Sequence, residues 1–584
     1  MFLPVILITT LVLLYLYFES RKPKDFPPGP KWWPIVGSAL EIARVRNTTG
    51  YLYKTFTVLF KQYGPICGLK IGKDRIVVLN DYQTIQSMFT NEDCDGRPTG
   101  PFYETRTWGK RLGVLLTDGP LWTEQRRFVL RHLREFGFGR RTMIALIEDE
   151  AIHLIDHFEK IFQSKYDQAS NPSAWTESKS HIRSINNNAG QIYQLTSQLD
   201  AIEEEKKNQV YDHSNNKENN QLKSSTGPLK IEDMYMKPED YDEVRKLSQS
   251  CGVIISMDDA FGVSVLNTLW GMIAGKRYNN DDKELIYLQR ILNNLFKDID
   301  MVGCLFSHFP ILRFIAPEIS GYKQFLDIHH RVLDYLGKEL ENHKTTFNSH
   351  QLRDLMDAYI NIQQTSSSES YSESQLLATC MDLFMAGSET TTKALGTCFL
   401  YLVLYPEIQK KAQQEIDEIV GRDRLPVLAD RSRMPYIDAI VLESLRMFMG
   451  RTMSIPHRAL KDTFINGYRI PKVKYSDTMI VANFNRVLMD EFWGDPEVFR
   501  PERFINETGG ITIPNQYLPF SCGKHRCMGE VLAKGNIFIF TAALLQKFRF
   551  SVVPGEDKPT VEFIDGVTIS PKPYRALVTF RFEK

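Results

Sequence analysis

"PFSCGKHRCMGE", Pro519 to Glu530, sets two cysteines five positions apart, surrounds one of them with glycine and basic residues, and runs into a long apolar segment. Such a stretch can be a zinc loop, one end of a disulfide, or the seat of a larger group held by one thiolate. Zinc takes four ligands, usually as two close pairs, and Cys522 and Cys527 have no second pair nearby. The eight cysteines are scattered over 584 residues without a CxxC pair, a pattern that reads as reduced thiols and makes a disulfide framework a poor fit. A lone thiolate ligand suits the local sequence better. Gly523 supplies a turn with φ > 0, Gly529 removes a side chain where a flat group would approach, and Met528 to Phe548 has the pattern of a helix. Cys527 then sits just before a helix N-terminus, where free N–H groups and the helix dipole stabilise a thiolate.

Working outward, Lys and Arg equal Asp and Glu at 71 each, so no global field recruits nucleic acid and charge-based recognition must be local. Phe2 to Phe18 carries no charge and as a helix measures about 26 Å, near the thickness of a bilayer core. Arg21, Lys22 and Lys24 follow it and nothing basic precedes it, which predicts a retained anchor at residues 1–20 with the rest of the chain cytoplasmic. A cleaved signal peptide fits less well, because a charged n-region and a small-residue cleavage site are both missing. Residues 21–37 are basic and then proline-rich, a stiff linker. Tyr51 to Tyr63 has helical periodicity, Ile66 to Asn80 alternates like a short hairpin, and the chain beyond Trp122 reads mainly as helix. About 163–250 is rich in Asn, Gln, Lys, Glu and Ser and poor in aromatics, and reads as a disordered insertion. Ser374 to Tyr405 is one apolar-rich helical run ending at Pro406. At about 48 Å it must cross the whole domain. Short strands are expected late, in Val567 to Phe582. The expectation is a mainly α fold with a small β part.

"FSCGKHRCMG", Phe520 to Gly529, resembles the haem-binding loop FxxGxxxCxG of the cytochrome P450 superfamily, with Phe520, Gly523, Cys527 and Gly529 at the pattern positions. Other motifs of that family stand upstream in its order. "AGSETT", Ala386 to Thr391 in the long helix, resembles the oxygen-activating motif; Gly387 with a Thr390 hydroxyl bonded back to Ala386 is expected to open a groove over the iron. "ESLR", Glu443 to Arg446, and "FRPERF", Phe499 to Phe504, imply a structural triad of Glu443, Arg446 and Arg503. "WTEQRR", Trp122 to Arg127, matches WxxxR, which implies that Trp122 and Arg126 hold a haem propionate. Arg97 in "DGRP" and His457 in "IPHR" fall where relatives place further propionate donors. One position departs from the pattern: His525 stands where the family most often has arginine, so pairing there is expected to be weaker or pH-sensitive.

The resemblance implies one haem-thiolate monooxygenase domain over 38–584, preceded by an N-terminal transmembrane helix in the endoplasmic reticulum membrane. Cys527 is the implied axial ligand of heme b, and Glu389 and Thr390 the implied proton relay during cleavage of O2. No flavin or nicotinamide fingerprint is present, so the electrons of NADPH are expected through a separate NADPH-cytochrome P450 reductase, with cytochrome b5 as a possible second donor. Lys524, His525 and Arg526, with Arg131, Arg134, Arg140 and Arg141, offer a basic face for that partner. Substrate contacts are implied in Pro101 to Leu116, Met381 to Thr390, Met449 to Ile455 and Val567 to Ser570, which are mostly apolar. They suit a steroid, a terpenoid, a fatty-acid-like hormone or a xenobiotic. The rival readings are a haem-thiolate isomerase or dehydratase needing no external electrons, and a haem-based sensor. Isomerase and dehydratase members usually lose the acid–threonine pair and a sensor would not need it, whereas Glu389 and Thr390 are intact here.

Overall fold

The computed structural model describes residues 2–137, 139, 141–170, 252–366, 368–472 and 477–582. These divide into two compact units, Met1–Ile155 with Ile254–Val578, and Asp156–Val253 with Thr579–Lys584. In the second unit Phe162 packs on Phe580 with ring centroids 4.6 Å apart. Most of the expected insertion at about 163–250 lies outside the described residues; its first part, to Ser170, continues the helix Arg141–Ser170.

Within the first unit the long helix runs Glu373–Leu404, 32 residues, one residue ahead of the expected limits at each end. Ser372 caps it by accepting the Gln375 amide at 3.2 Å. Pro406 ends it by opening the next helix, Pro406–Ile419, and holding Tyr405 out of the helical region. The helix is buried nearly all round, which requires its hydroxyls to find acceptors. Ser388, Thr390, Thr392 and Thr397 each donate to the carbonyl four residues back, at 2.7–2.9 Å. Around it pack Gly262–Ala274, Pro435–Met449 and Glu530–Lys547, each with a largely buried surface.

The predicted hairpin is present. Strands Ile66–Ile71 and Asp74–Leu79 pair antiparallel, Asp74–Leu79 pairs parallel with Thr478–Ala482, and His457–Arg458 lies antiparallel on the other side of that strand. This sheet brings His457 from late in the chain beside the Cys94–Arg97 segment, whose Gly96 bridges to Arg458.

The described residues do not support the expected membrane helix. A helix covers Phe2–Glu19, 18 residues, about 27 Å against a core of about 30 Å. Its last residue is Glu19, whose carboxylate is held by the Lys70 ammonium and the Ile35 amide. Among the described residues, no helix is long and apolar enough to cross a membrane.

Candidate functional site

Gly523 fixes the cysteine loop. Its φ is +72°, and a Cβ there would overlap the carbonyl of Phe89, so both backbone conformation and space exclude other residues. Ser521 also has positive φ, +61°. The loop closes through the Cys527 amide on the Phe520 carbonyl, 3.1 Å, and the Arg526 amide on the Gly523 carbonyl, 3.2 Å. Gly529 is the N-cap of the Glu530–Lys547 helix, with φ −86°. Two opposing influences act on the Cys527 thiol: burial raises its pKa, while the Gly529 and Glu530 amides and Arg126 favour the thiolate. The net shift is upward, although Cys527 itself is exposed along the cavity it borders. The sulfur borders a cavity of about 450 Å³, lined also by Arg126, Leu130, Arg134, Arg526 and Val531. Cys522 lies half-buried, its thiol pKa raised by burial.

Five residues named from the sequence converge beside this loop. The Trp122 and His525 rings lie 4.1 Å apart, the His457 and His525 rings 5.2 Å, and the Arg126 guanidinium is 5.5 Å from the Trp122 ring. Burial, with Arg97 nearby, lowers the His525 pKa to about 3, and burial with Arg97 and His525 holds His457 well below its ordinary value. Each neutral imidazole has one N–H, and backbone carbonyls take both: His457 Nδ1 faces Cys94 O and His525 Nε2 faces Asp95 O, each at 2.9 Å. Neither ring therefore offers a donor to an anion in this state. Arg97 differs. It is buried, its pKa lowered by burial to about 10, so it stays a cation at neutral pH. Its Nη1 donates to Pro456 O at 3.0 Å, but its Nε has no partner, and neither has the buried Nε1 of Trp122. Arg126 donates through one Nη to Arg526 O at 2.6 Å. Two orphaned donors and two guanidinium charges fit a group bearing carboxylates, as haem does.

On the long helix, Ala386 and Thr390 are the exposed positions between Met381 and Val403. Exposure of two residues one turn apart on a buried helix marks open space along that stripe. Thr390 Oγ1 donates to Ala386 O at 2.7 Å. The Glu389 carboxyl is buried 3.5 Å from Lys393 Nζ; burial raises its pKa and Lys393 opposes the rise. Gly387 does not open the groove expected from the motif: a Cβ there would overlap Leu269 of the Gly262–Ala274 helix, so the glycine serves helix–helix contact.

Glu443, Arg446 and Arg503 meet as a buried cluster. Arg446 Nε and Nη2 donate to the two Glu443 oxygens at 2.7 and 2.8 Å, and Arg503 Nε adds a bond at 3.0 Å. Their other donors are taken by carbonyls of the 488–498 segment.

Sequence reading missed two carboxylates. Asp118 accepts from the Arg97 amide at 2.6 Å, Arg111 at 2.9 Å and Arg458 at 3.1 Å. Burial raises its pKa, but those donors reverse the effect and hold it low. Its place just before "GP" at a helix start was the available signal. Asp382 accepts from Arg106 at 2.5 Å and from the Val114 and Leu115 amides at 2.7 and 2.8 Å. No local pattern marked it, since its partners lie more than 260 residues away.

The comparisons agree with this geometry. A family model described as Cytochrome P450 matches residues 27–178 and 223–578. "Probable cytochrome P450 303a1" of Drosophila melanogaster is 41% identical over 100% of both chains. "Farnesoate epoxidase" of Bombyx mori is 30% identical over 98% of this chain and 97% of its own, and "Cytochrome P450 2J1" of Oryctolagus cuniculus is 28% identical over 96% and 93%. With the family model spanning most of the sequence and a full-length relative at 41% identity, this chain belongs to the cytochrome P450 family, haem-thiolate monooxygenases that use O2 and electrons from NADPH through a reductase.

Proposed function

We propose that the chain inserts one oxygen atom from O2 into a lipophilic small molecule of the steroid, terpenoid or fatty-acid class, with NADPH-cytochrome P450 reductase as its electron source. The observation that carries the site assignment is that Cys527 and Arg126 line one open cavity while Arg97 and Trp122, beside His525 of the same loop, carry unpartnered buried donors. In this reading Cys527 holds the iron, and Arg97, Trp122 and Arg126 hold the propionates, with His457 and His525 bracing them. Haem, when bound, supplies oxygen activation. The chain's own residues do the rest. Glu389 offers a buried carboxyl whose pKa burial raises, the neighbouring Thr390 lies on the open stripe, and the Glu443–Arg446–Arg503 cluster fixes the segment leading to the loop. The apolar stretches around the Met381–Thr390 stripe exclude water from the reacting carbon.

Residues 1–20 as an endoplasmic reticulum anchor, 21–37 as a linker and 38–584 as the catalytic part complete the proposal. The apolar run after Met1 and the basic residues behind it support that topology. A lipophilic substrate would then reach the site from the membrane. The test is reconstitution with the reductase, a lipid panel and NADPH. The expected result is reductase-dependent NADPH consumption with a hydroxylated or epoxidised product. Substrate conversion that proceeds without reductase contradicts the proposal in favour of an isomerase or dehydratase.

A further inference from the structure

Glu389 and Lys393 form a buried ion pair on the long helix, their side chains 10% and 7% exposed and their charged atoms 3.5 Å apart. The buried Glu443–Arg446 pair makes two bonds of 2.7 and 2.8 Å, whereas this pair has one long contact. Taking two charges out of water is offset only by close, multiple hydrogen bonds, so a loose buried pair costs stability rather than supplying it. Its presence needs another cause.

The position gives one. Glu389, Lys393 and Gly396 share one helix face, turned about 100° from the Thr390 stripe. That face meets the segment after the strand Val253–Ser256: a Cβ on Gly396 would lie 4.0 Å from the Met257 carbonyl, and the Phe261 ring stacks on Phe399 at 5.2 Å. Between Met257 and Phe261 stands Asp259, which is exposed. The helix Lys283–Asp298, packed on the long helix, adds Arg290 and Lys297. Both acids feel the same two lysines. At Asp259, partial burial of the carboxyl and Asp258 raise the pKa, while Lys393, Arg290 and Lys297 oppose the rise. At Glu389, burial raises it, Lys393 and Lys297 oppose, and Asp259 adds to the rise. One electrostatic group therefore runs from a solvent-facing carboxylate to the residue beside Thr390.

We propose that Glu389 is resupplied with protons from solvent through Asp259, and that Lys393 is the positioning residue that holds the Glu389 carboxylate on that side of the helix. This rests on the reading of Glu389 and Thr390 as a proton relay. For each proton passed from Glu389 toward Thr390, one enters from solvent at Asp259; only O–H bonds break and form, and Lys393 keeps its charge throughout. Infrared spectroscopy of the haem-loaded full chain tests this without turnover. The protonated-carboxyl band that Glu389→Gln removes reports this one group, and its shift on mixing into D2O gives the rate at which solvent protons reach it. Asp259→Asn is expected to slow that exchange at least about 10-fold and, by removing a negative charge, to move the band's pH midpoint down. Lys393→Met should make Glu389 hold its proton at least about 10-fold more tightly, and Lys393→Arg, which keeps the charge, should restore the wild-type midpoint. A Glu389 midpoint unmoved in Lys393→Met, or an unchanged exchange rate in Asp259→Asn, overturns the proposal and leaves the relay reading standing. If Lys393→Met fails to fold, the exposed Asp259→Asn decides alone. The absence of any band that Glu389→Gln removes would sink the relay reading itself, and this inference with it.

Discussion

Gly523 and Gly529 flank Cys527 and divide loop strain from cofactor space. At Gly523, alanine would meet both a left-handed backbone, costing about 1–2 kcal/mol, and the Phe89 carbonyl. Gly523→Ala is expected to lower the thermal midpoint and the haem-to-protein ratio together. At Gly529, φ is −86° and a Cβ would come no closer than 4.0 Å to Cys527 Sγ. Gly529→Ala should leave the midpoint of haem-free protein unchanged while lowering haem content; loss of both would move Gly529 to a structural role. The acid–threonine pair gives a second test. Glu389→Gln keeps shape and removes the ionisable group, and product formed per NADPH consumed is expected to fall about 10²-fold. Because burial raises the Glu389 pKa above 4.5, the folded chain holds that proton more tightly than the unfolded chain does. The stability it contributes is present below about pH 4.5 and lost as pH rises through the raised value, and Glu389→Gln should flatten that slope in pH-dependent melting. At this scale the cysteine, the glycines and the Trp–Arg pair were legible because their residue types are forced. The state of His525 was not, since burial and Arg97 set it against the opposing Asp95 carbonyl, and both partners lie more than 400 residues away in sequence.

The long helix was legible to within a residue at each end because its cap, apolar run and Pro406 are all local signals. The reason for Gly387 was not, because Leu269 sits on another helix. The same limit hid Asp382 and its hold on the 112–115 loop. Another pairing between elements, His343 with Asp354, carries a pH prediction. His343 near the end of the helix Tyr322–Thr346 lies 3.0 Å from Asp354, the N-cap of Leu355–Thr365, with Glu339 at 3.6 Å. Burial lowers its pKa, but the Asp354 hydrogen bond, the Glu339 carbonyl and both carboxylate charges outweigh burial and raise it. A raised histidine stabilises fully below its ordinary value of about 6.5 and loses that contribution as pH rises through the folded value. Melting midpoints should therefore decline from pH 6 to pH 8, and His343→Gln should remove that part of the decline. A wild-type midpoint that rises over this interval contradicts the pairing.

Over the whole molecule, the α-rich class, the small sheet and the family were all readable from motif order, and the resemblance implied one shared site for residues 97 to 527, whereas the pairings between distant segments needed the fold. The parallel pairing of Asp74–Leu79 with Thr478–Ala482 joins segments some 400 residues apart, which no periodicity announces. The topology proposal is tested through Asn47 and Asn506, both exposed and both in glycosylation sequons. A cytoplasmic body leaves them bare, so glycosidase treatment of protein from microsomes should not change its mass; a mass loss would place the body in the lumen. The central claim is that Cys527 is the thiolate ligand of a bound haem, and it is tested most directly by the reduced, CO-bound absorption spectrum of wild type and Cys527→Ala. The account predicts a strongly red-shifted Soret band in wild type that disappears in Cys527→Ala. A wild type without that band, or a variant that keeps it unchanged, contradicts the account.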